Sequence, residues 1–383
     1  MAKRVAILGS TGSIGKSTLD VVRALSPELQ VAGLAAGRRW RELAEQCQEF
    51  RPAAVTIANE SFSEDLRPFL QEGTELFVGP KGLVELAERD DNDFVVAAIV
   101  GAAGLESTIA AVAKGKTVGL ANKEALVMAG SILMPLARRT GANLLPIDSE
   151  HSAVFQSMAA GRRSEVHKIY LTASGGPFRT WTAEQMAEAT LEDALRHPTW
   201  KMGPKITIDS ATMMNKALEI VEAAWLFDLK PESIEVVIHP ESIIHSMVEF
   251  CDGSVLAQLG SPDMRTPIQY ALTWPERRVG CARRLDFGTI RRLNFEPPDF
   301  DRFPALAMGF EVARAGGTAG AVFNAANEAA VEAFQQRRIT FGKIVELTRR
   351  VLDRHTVASN PDLGTLLEAD QWARREVAEC LRR

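Results

Sequence analysis

Two carboxylates, Asp148 and Glu150, stand two residues apart at the end of the apolar run NLLPI. Side chains two apart in a β-strand point to the same side, so we expect both at the carboxyl edge of a sheet, where open α/β sheets bind ligands. Neighbouring carboxylates repel each other unless a cation or proton lies between them, and oxygen ligands favour Mg²⁺ or Mn²⁺ over zinc. His151 points away in this register and is not predicted as a ligand. The alternative is an exposed acidic loop that caps a helix.

Three polar segments further along the chain carry side chains suited to a phosphorylated polyol. They are TASGGPF (172–178), HPTWKMG (197–203) and SATMMNKALE (210–219). Hydroxyl, amide and imidazole groups, together with the ammonium group of Lys216, can surround a phosphate. Glu219 adds a third carboxylate, which would complete a metal site with Asp148 and Glu150.

The segment 174–204 has the features of a lid. It contains two capping-box spacings, Thr182 to Gln185 and Thr190 to Asp193, each of which indicates a helix start. A helix-containing excursion hinged by glycines beside a site is typical of a segment that closes over a substrate. The alternative is an ordinary surface helix.

The turn GSTGSIGKST (9–18) matches parts of two phosphate-binding loops. A nucleotide triphosphatase loop needs a glycine five residues before Gly15, where this chain has Ser10. A dinucleotide-binding turn needs glycines between a strand and a helix, and Gly9, Gly12 and Gly15 supply them in the spacing GxxGxxG between VAIL and KSTLDVVRAL. We therefore predict a dinucleotide site.

The end of the second strand indicates which dinucleotide binds. An NAD site usually has an acidic residue there, whereas an NADP site favours arginine. Here the sequence is LAAGRR, with Arg38 and Arg39 and no acid. This favours NADPH, the alternative being a solvated surface pair.

Strand-like runs alternate with helical patterns through the first part of the chain, which predicts a Rossmann-like, doubly wound parallel sheet in an α/β protein. The runs are VAILG, LQVAGLAAG, AAVTIA, FVVAAIV, TVGLA and NLLPID. A second group predicts an α+β catalytic or connective domain with a hairpin turn at Asp252-Gly253. Its runs are HKIYLTAS, KITIDS, SIEVVIHP, HSMVEF and SVLAQLG. Helical periodicity without strand character predicts a C-terminal helical bundle.

These patterns predict four parts of the chain. They are an NADPH-binding domain (1–149), a catalytic, connective and dimerisation domain (150–275) with the lid at about 174–204, a linker (276–300) and a helical domain (301–383).

The composition of the 383 residues, 46% hydrophobic and 24% charged, is typical of a globular enzyme of two or three domains. A formal net charge of −5 provides no basic surface for nucleic acid or an anionic membrane, so we expect a small-molecule partner and a cytoplasmic location. The longest apolar run, 94–105, is broken by glycines and too short to span a membrane. Four cysteines without CxxC spacing argue against a zinc site or a disulfide framework.

Over essentially its whole length, the chain resembles the 1-deoxy-D-xylulose 5-phosphate reductoisomerase family. The motifs that carry the resemblance are GSTGSIG, LANKE, DSEHSA, TASGGPF, HPTWKMG, DSATMMNKALE, IHPESIIHSMVEF and NAANEAAVEAF. The resemblance implies a homodimer that rearranges 1-deoxy-D-xylulose 5-phosphate, a phosphorylated ketose, and reduces it to 2-C-methyl-D-erythritol 4-phosphate in the non-mevalonate isoprenoid pathway. It implies NADPH and a divalent metal (Mn²⁺, Mg²⁺ or Co²⁺) as cofactors. Cleavage with re-aldolisation and direct migration both remain open for the rearrangement.

The resemblance also implies roles for individual residues. The metal ligands are Asp148, Glu150 and Glu219. The substrate-binding residues are Lys123, Ser149, Glu150, Ser174, His197, Trp200, Met202, Ser210, Asn215, Lys216 and Glu219. The catalytic residues among them are Lys123, Glu150 and His197. The cofactor-binding residues are Gly9, Ser10, Thr11, Gly12, Ser13, Ile14, Gly37, Arg38, Arg39, Asn122, Glu124 and Gly203.

Two other classes of protein share parts of this pattern. A semialdehyde dehydrogenase has a similar glycine turn but needs an activated cysteine nucleophile. Neither Cys251, in the turn-like FCDGS, nor Cys47, in a helical pattern, stands near a plausible base. A non-catalytic NADPH-binding sensor would have no need for three carboxylates beside a phosphate pocket. We therefore expect an enzyme.

Overall fold

The computed structural model describes residues 2–382, which form two compact units. The first unit consists of residues 2–125, 133–152 and 263–283. The second unit consists of residues 126–132, 153–262 and 284–382. The predicted boundary at residue 275 therefore falls inside a segment of the first unit, and the predicted boundary at residue 300 falls inside a segment of the second. In the described part of the chain, no helix is both long and apolar enough to cross a membrane.

A seven-stranded parallel sheet forms the centre of the first unit. Its strands are β1 (Lys3–Leu8), β2 (Leu29–Ala36), β3 (Ala54–Ile57), β4 (Glu75–Val78), β5 (Phe94–Ala97), β6 (Thr117–Leu120) and β7 (Leu144–Pro146). The spatial order β4-β3-β2-β1-β5-β6-β7 confirms the doubly wound arrangement that the alternating patterns predict. The strand β4 was not among the predicted strands, because its sequence ELFV is short and only partly buried.

The central strands show why this sheet is parallel and internal. Val5 and Ile7 of β1 and Val95 of β5 are fully buried. A strand covered on both faces needs a continuous apolar run rather than alternation, and VAIL and FVVA supply such runs. The helices of the first 158 residues are α1 (Ser13–Ala24), α2 (Trp40–Phe50), α3 (Ser63–Leu66), α4 (Gly79–Glu88), α5 (Leu105–Ala113), α6 (Lys123–Thr140) and α7 (Ser149–Met158).

A four-stranded mixed sheet belongs to the second unit. Its strands are β8 (Val166–Ala173), β9 (Ile234–Ile238), β10 (Ile244–Phe250) and β11 (Val255–Leu259), in the order β11-β10-β8-β9. The strand β10 runs antiparallel to β8 and β11, whereas β8 and β9 are parallel. The predicted turn at Asp252-Gly253 joins β10 to β11, and Gly253 has the positive φ of 83° that such a turn requires.

Helices complete the second half of the chain. They are α8 (Ala183–Ala187), α9 (Leu191–Ala194), α10 (Pro204–Ala211), α11 (Met214–Leu226), α12 (Arg265–Thr273), α13 (Ala305–Ala315), α14 (Ala319–Gln335), α15 (Gly342–Arg354) and α16 (Leu363–Cys380). The capping boxes predicted at Thr182 and Thr190 begin α8 and α9. The last four helices confirm the predicted helical C-terminal region.

The helix α10 corrects one prediction, because its residues KITIDS were expected to form a strand. Gly203 is the N-cap of this helix, and Pro204 takes the first helical position, where a missing N–H group costs no hydrogen bond. The alternation of Ile206 and Ile208 with polar residues fits a strand period over so short a run, and periodicity alone does not separate the two structures.

The helix α14 packs against the main chain of α6 in the second unit. A Cβ atom on Gly320 would lie only 1.9 Å from the carbonyl oxygen of Val127. Close by, Ala129 leaves helical geometry, with φ −132° and ψ 27°. The close approach of the two helices therefore depends on a glycine at position 320.

Candidate functional site

The glycine turn between β1 and α1 presents main-chain groups at the start of a helix. Gly9 has a φ of 93°, and a Cβ on it would lie 2.6 Å from the carbonyl oxygen of Ala98. A Cβ on Gly15 would lie 2.3 Å from the carbonyl oxygen of Gly9. Gly12 is the N-cap of α1 and leaves the first N–H groups without a side-chain cap. Such a helix start attracts phosphate through its N–H groups and dipole.

Ser10 holds this turn in place. Its hydroxyl donates to Gln46 Oε1 at 2.7 Å, and Gln46 Nε2 donates to the Ser10 carbonyl oxygen at 3.1 Å. Its main-chain N–H group donates to Ala35 at 2.8 Å. Thr11 in the same turn is buried, whereas Ser13 is exposed. The contacts of Ser10 thus anchor the turn on α2 and β2.

The predicted arginine pair follows β2 directly. Gly37, Arg38 and Arg39 are exposed at the carboxyl end of that strand, beside the end of β1 from which the glycine turn departs. Arg39 Nη1 lies 3.6 Å from Glu42 Oε1. Two cations at this edge suit an additional phosphate group on a dinucleotide.

Asn122 fixes the start of α6, next to Lys123. Its side chain accepts a hydrogen bond from Ala125 N at 3.1 Å and donates to the Gly101 carbonyl oxygen at 3.0 Å. The residue is buried, as is Glu124. Asn122 therefore places the first turn of the helix that carries the predicted catalytic lysine.

The pair Asp148 and Glu150 corrects the strand-based geometry. The helix α7 begins at Ser149, so the two carboxylates flank a helix start and do not share one face of a strand. Asp148 Oδ1 accepts from Glu150 N at 3.2 Å, and the Ser149 hydroxyl donates to Glu150 Oε2 at 2.5 Å. The alternative, an exposed acidic loop that caps a helix, is correct in that Asp148 caps the start of α7. It is wrong about exposure, because the Asp148 side chain is only 10% exposed.

Two cationic or ionisable groups surround Asp148. Lys123 Nζ forms a short ion pair with Asp148 Oδ2, and His151 Nδ1 lies 3.6 Å from Asp148 Oδ1. Burial of Asp148 raises the pKa of its carboxyl group, but the charges of Lys123 and His151 outweigh burial and hold this pKa well below its usual range. The carboxylate therefore stays ionised at neutral pH. The contact with His151 was missed because it depends on the i, i+3 spacing of a helix.

Ser174 and His197 meet in the second unit. The distance between Ser174 Oγ and His197 Nε2 is 3.0 Å. His197 Nδ1 accepts from Thr199 N at 3.1 Å and from Trp200 N at 2.9 Å, so in the neutral ring the proton is on Nε2 and is donated to Ser174. Gly176 N also donates to Ser174 Oγ, at 3.1 Å. Because its oxygen accepts twice, Ser174 can donate its own proton to an anion.

One face of α11 brings three predicted residues together. Asn215 Nδ2 donates to Glu219 Oε1 at 2.5 Å, and Lys216 Nζ forms a short ion pair with Glu219 Oε2. The spacings i, i+4 and i, i+3 place these side chains side by side on the helix. The side chains of Lys216 and Glu219 are 3% and 1% exposed, so a buried cation and a buried carboxylate balance each other.

The end of α10 lies against the loop after β8. Gly176 has a φ of 67°, and a Cβ on it would lie 2.4 Å from the carbonyl oxygen of Ser210. This contact brings the loop that carries Ser174 next to Ser210 within the second unit.

Trp200 and Met202 are partly buried in the segment between α9 and α10. The Trp200 ring lies 6.0 Å from the ring of His245, a residue that the sequence analysis did not single out although it stands in the motif IHPESIIHSMVEF. Gly203, predicted to contact the cofactor, belongs to the second unit, whereas the other predicted cofactor residues belong to the first.

Comparison with known proteins identifies the family. The protein-family model of 1-deoxy-D-xylulose 5-phosphate reductoisomerase matches residues 5–130. Two family models of C-terminal domains of the same enzyme match residues 144–227 and 259–376. The chain belongs to the 1-deoxy-D-xylulose 5-phosphate reductoisomerase family. The reductoisomerase of Pelodictyon phaeoclathratiforme is 52% identical over 97% of this chain and 98% of that protein. The reductoisomerase of Pelotomaculum thermopropionicum is 50% identical over 99% of both.

Solved structures of the family confirm the fold. The reductoisomerase of Zymomonas mobilis in complex with NADPH is 46% identical, with a TM-score of 0.93 over 100% of this chain and 99% of that chain. A reductoisomerase in complex with NADPH, fosmidomycin and magnesium is 41% identical, with a TM-score of 0.95 over 99% of this chain and 98% of that chain. The resemblance that the motifs indicate is therefore confirmed over the full length.

Proposed function

We propose that this protein converts 1-deoxy-D-xylulose 5-phosphate to 2-C-methyl-D-erythritol 4-phosphate with NADPH and a divalent metal ion. The observation that carries the proposal is full-length identity of about half to reductoisomerases. The experiment that tests it is consumption of NADPH on addition of this substrate in the presence of Mg²⁺ or Mn²⁺.

The metal ligands in this proposal are Asp148, Glu150 and Glu219. Their hard oxygen donors fit Mg²⁺ or Mn²⁺, and Lys123 keeps the Asp148 carboxylate ionised and ready to bind. A related structure contains magnesium. The bound ion would polarise the substrate carbonyl and stabilise negative charge that develops on oxygen. Lys123 and Ser149 would bind the substrate next to these carboxylates.

The phosphate end of the substrate would bind to residues of the second unit. These are Ser174, Ser210, Asn215 and Lys216, with His197 nearby. The hydrogen bond that His197 donates to Ser174 leaves the serine hydroxyl able to donate, and Lys216 adds a positive charge. Phosphate binding far from the reacting carbons would orient the substrate for the rearrangement. Trp200 and Met202 would cover it and exclude water.

NADPH would bind to the first unit at the carboxyl edge of its sheet. The N–H groups at the start of α1 would hold the pyrophosphate, and Arg38 would contact the phosphate that distinguishes NADPH from NADH. The related Zymomonas structure contains NADPH.

The sheet of the second unit also supports a homodimer. The edge strand β11 pairs with β10 alone among the strands of residues 2–382, and its Val255 and Leu256 are 48% and 39% exposed. An exposed apolar edge strand is a natural surface for pairing with another chain. We propose that a second copy of this chain covers it.

A further inference from the structure

The motif NAANEAAVEAF in α14 contains a buried asparagine with a partner far away in sequence. Asn327 is fully buried, and its Nδ2 donates to Asp209 Oδ1 at 2.9 Å. The two residues are 118 positions apart, and both lie in the second unit. A buried amide that donates to a carboxylate on another element links the positions of the two elements.

Asp209 makes a second contact at the other end of its own helix. Its Oδ2 lies 2.8 Å from Lys205 Nζ, and the Asp209 side chain is 1% exposed. A buried carboxylate is costly unless its oxygens are paired, and Asp209 uses one oxygen for each of these two partners. Lys205 stands two residues after Gly203, directly after the end of the segment 174–204. The chain of contacts from Asn327 through Asp209 to Lys205 therefore connects α14 to this end of the lid segment.

The helix that Asp209 anchors leads into the phosphate-binding residues. Ser210 follows Asp209 directly, and its carbonyl oxygen lies against the loop at Gly176, where a Cβ would be 2.4 Å away. Only Thr212 and Met213 separate α10 from α11, and Met213 is in the left-handed conformation with a φ of 59°. A shift of α10 would be passed on to α11 through this tight connection.

We propose that Asn327 and Asp209 are positioning residues that hold α10 and the residue Lys205 so that the phosphate-binding groups keep their geometry. The proposal rests on the assignment of Ser174, Ser210, Asn215 and Lys216 to phosphate in the proposed function. It gives a role to α14, a helix of the C-terminal region that carries none of the predicted site residues.

An exchange of side chains tests the proposal. In Asp209→Asn, either Asn327 or Lys205 faces an amide N–H group where the wild-type protein has a carboxylate oxygen. In Asn327→Asp, two buried carboxylates meet. The double variant restores the pattern, because the amide at position 209 donates to the carboxylate at 327 and its oxygen accepts from Lys205. The control is Asn324→Asp, on the same helix, where Asn324 contacts Met128 and Glu328 but not Asp209.

Two readouts apply to the full-length protein. One is the dissociation constant of inorganic phosphate measured by calorimetry, and the other is the KM for 1-deoxy-D-xylulose 5-phosphate compared with the KM for NADPH. Each single variant is expected to weaken phosphate binding and raise the substrate KM about tenfold, with the NADPH KM unchanged, and the double variant to recover most of the loss. Asn324→Asp is expected to leave the dissociation constant of phosphate and the KM for 1-deoxy-D-xylulose 5-phosphate at wild-type values.

Wild-type phosphate binding in the folded single variants would overturn the proposal, as would a folded double variant that recovers nothing. If the exchange variants do not fold, Lys205→Gln replaces them as the test, because this side chain is 20% exposed and its substitution disturbs the core less. Its loss is also expected to weaken phosphate binding, and wild-type phosphate binding in Lys205→Gln would overturn the proposal. A wild-type protein that binds phosphate but never turns over the substrate would contradict the proposed function. The phosphate dissociation constants of the variants and the wild type would still test the positioning role of Asn327 and Asp209.

Discussion

At the scale of single residues, the carboxylates of the candidate site are balanced by buried lysines. Asp148 and Glu219 are buried carboxylates, and each has a lysine as ion-pair partner, Lys123 and Lys216. Removing one partner from such a pair leaves an uncompensated buried charge. The lysines therefore compensate the buried negative charges, and at Asp148 the charge of Lys123 helps to hold the pKa of the carboxyl group well below its usual range.

The variant Glu219→Gln removes the charge of a proposed metal ligand with little change in shape. We expect kcat to fall at least about a hundredfold, because charge stabilisation by a bound ion contributes on this scale. NADPH affinity, measured by fluorescence titration, should stay nearly unchanged. The matched control is Glu235→Gln, an exposed residue paired with Lys168 at 2.7 Å, which should keep full activity. Activity retained by Glu219→Gln would mean that the third ligand is another residue.

The variant Arg38→Ala tests the choice of dinucleotide. We expect the KM for NADPH to rise about tenfold with little effect on the KM for NADH, since one charge-assisted contact to the additional phosphate is lost. Arg39→Ala is the control, because Arg39 lies near Glu42 and should change the KM for NADPH less. Steady-state kinetics with both dinucleotides provide the comparison, and an equal effect on NADPH and NADH would argue against the proposed role.

At the scale of elements, the long apolar strands and the capping boxes could be predicted from local sequence, whereas short segments with mixed signals could not. KITIDS alternates like a strand, but the Gly203-Pro204 start makes it a helix. Ser149 begins a helix where a strand period was assumed, so Asp148 and Glu150 meet in a different way than expected. The contact Asp148–His151 has the i, i+3 spacing of a helix and was missed because a strand period was assumed there, whereas the contact Asp209–Asn327 joins residues 118 positions apart and depends on how the helices pack.

The variant Gly320→Ala tests the close packing of α14 on α6. The added methyl group has no room beside the Val127 carbonyl oxygen, so we expect a loss of about 1–3 kcal/mol in the free energy of unfolding. Gly342→Ala is the control, because a Cβ there meets nothing within 4 Å and alanine favours a helix. Urea unfolding of both variants should show destabilisation at position 320 and none at 342. Equal stability of the two variants would contradict the packing argument.

At the scale of the whole molecule, the proposed activity needs both units, because the predicted cofactor turn lies in the first unit and the residues proposed to bind phosphate lie in the second. The order of motifs along the chain predicts an NADPH-dependent reductoisomerase with an α/β fold. Membership of the reductoisomerase family confirms the fold and the class of activity. The homodimer stays a prediction.

The variant Leu256→Glu tests the homodimer. A charge on the exposed edge of β11 should oppose pairing with a second copy, so we expect light scattering to detect monomers in place of dimers. Val279→Glu is the control, since this residue is 80% exposed outside that sheet and should leave the dimer intact. A Leu256→Glu protein that remains dimeric would place the interface elsewhere.

The central claim is that hydride passes from NADPH to a rearranged 1-deoxy-D-xylulose 5-phosphate in a metal-dependent reaction. The most direct measurement uses NADPH deuterated at the transferred position, with absorbance at 340 nm and the mass of the product followed together. We expect NADPH to be consumed only when the substrate and Mg²⁺ or Mn²⁺ are both present, a chelator to stop the reaction, and 2-C-methyl-D-erythritol 4-phosphate to carry the deuterium. No loss of absorbance under these conditions, or a product without the label, would contradict it.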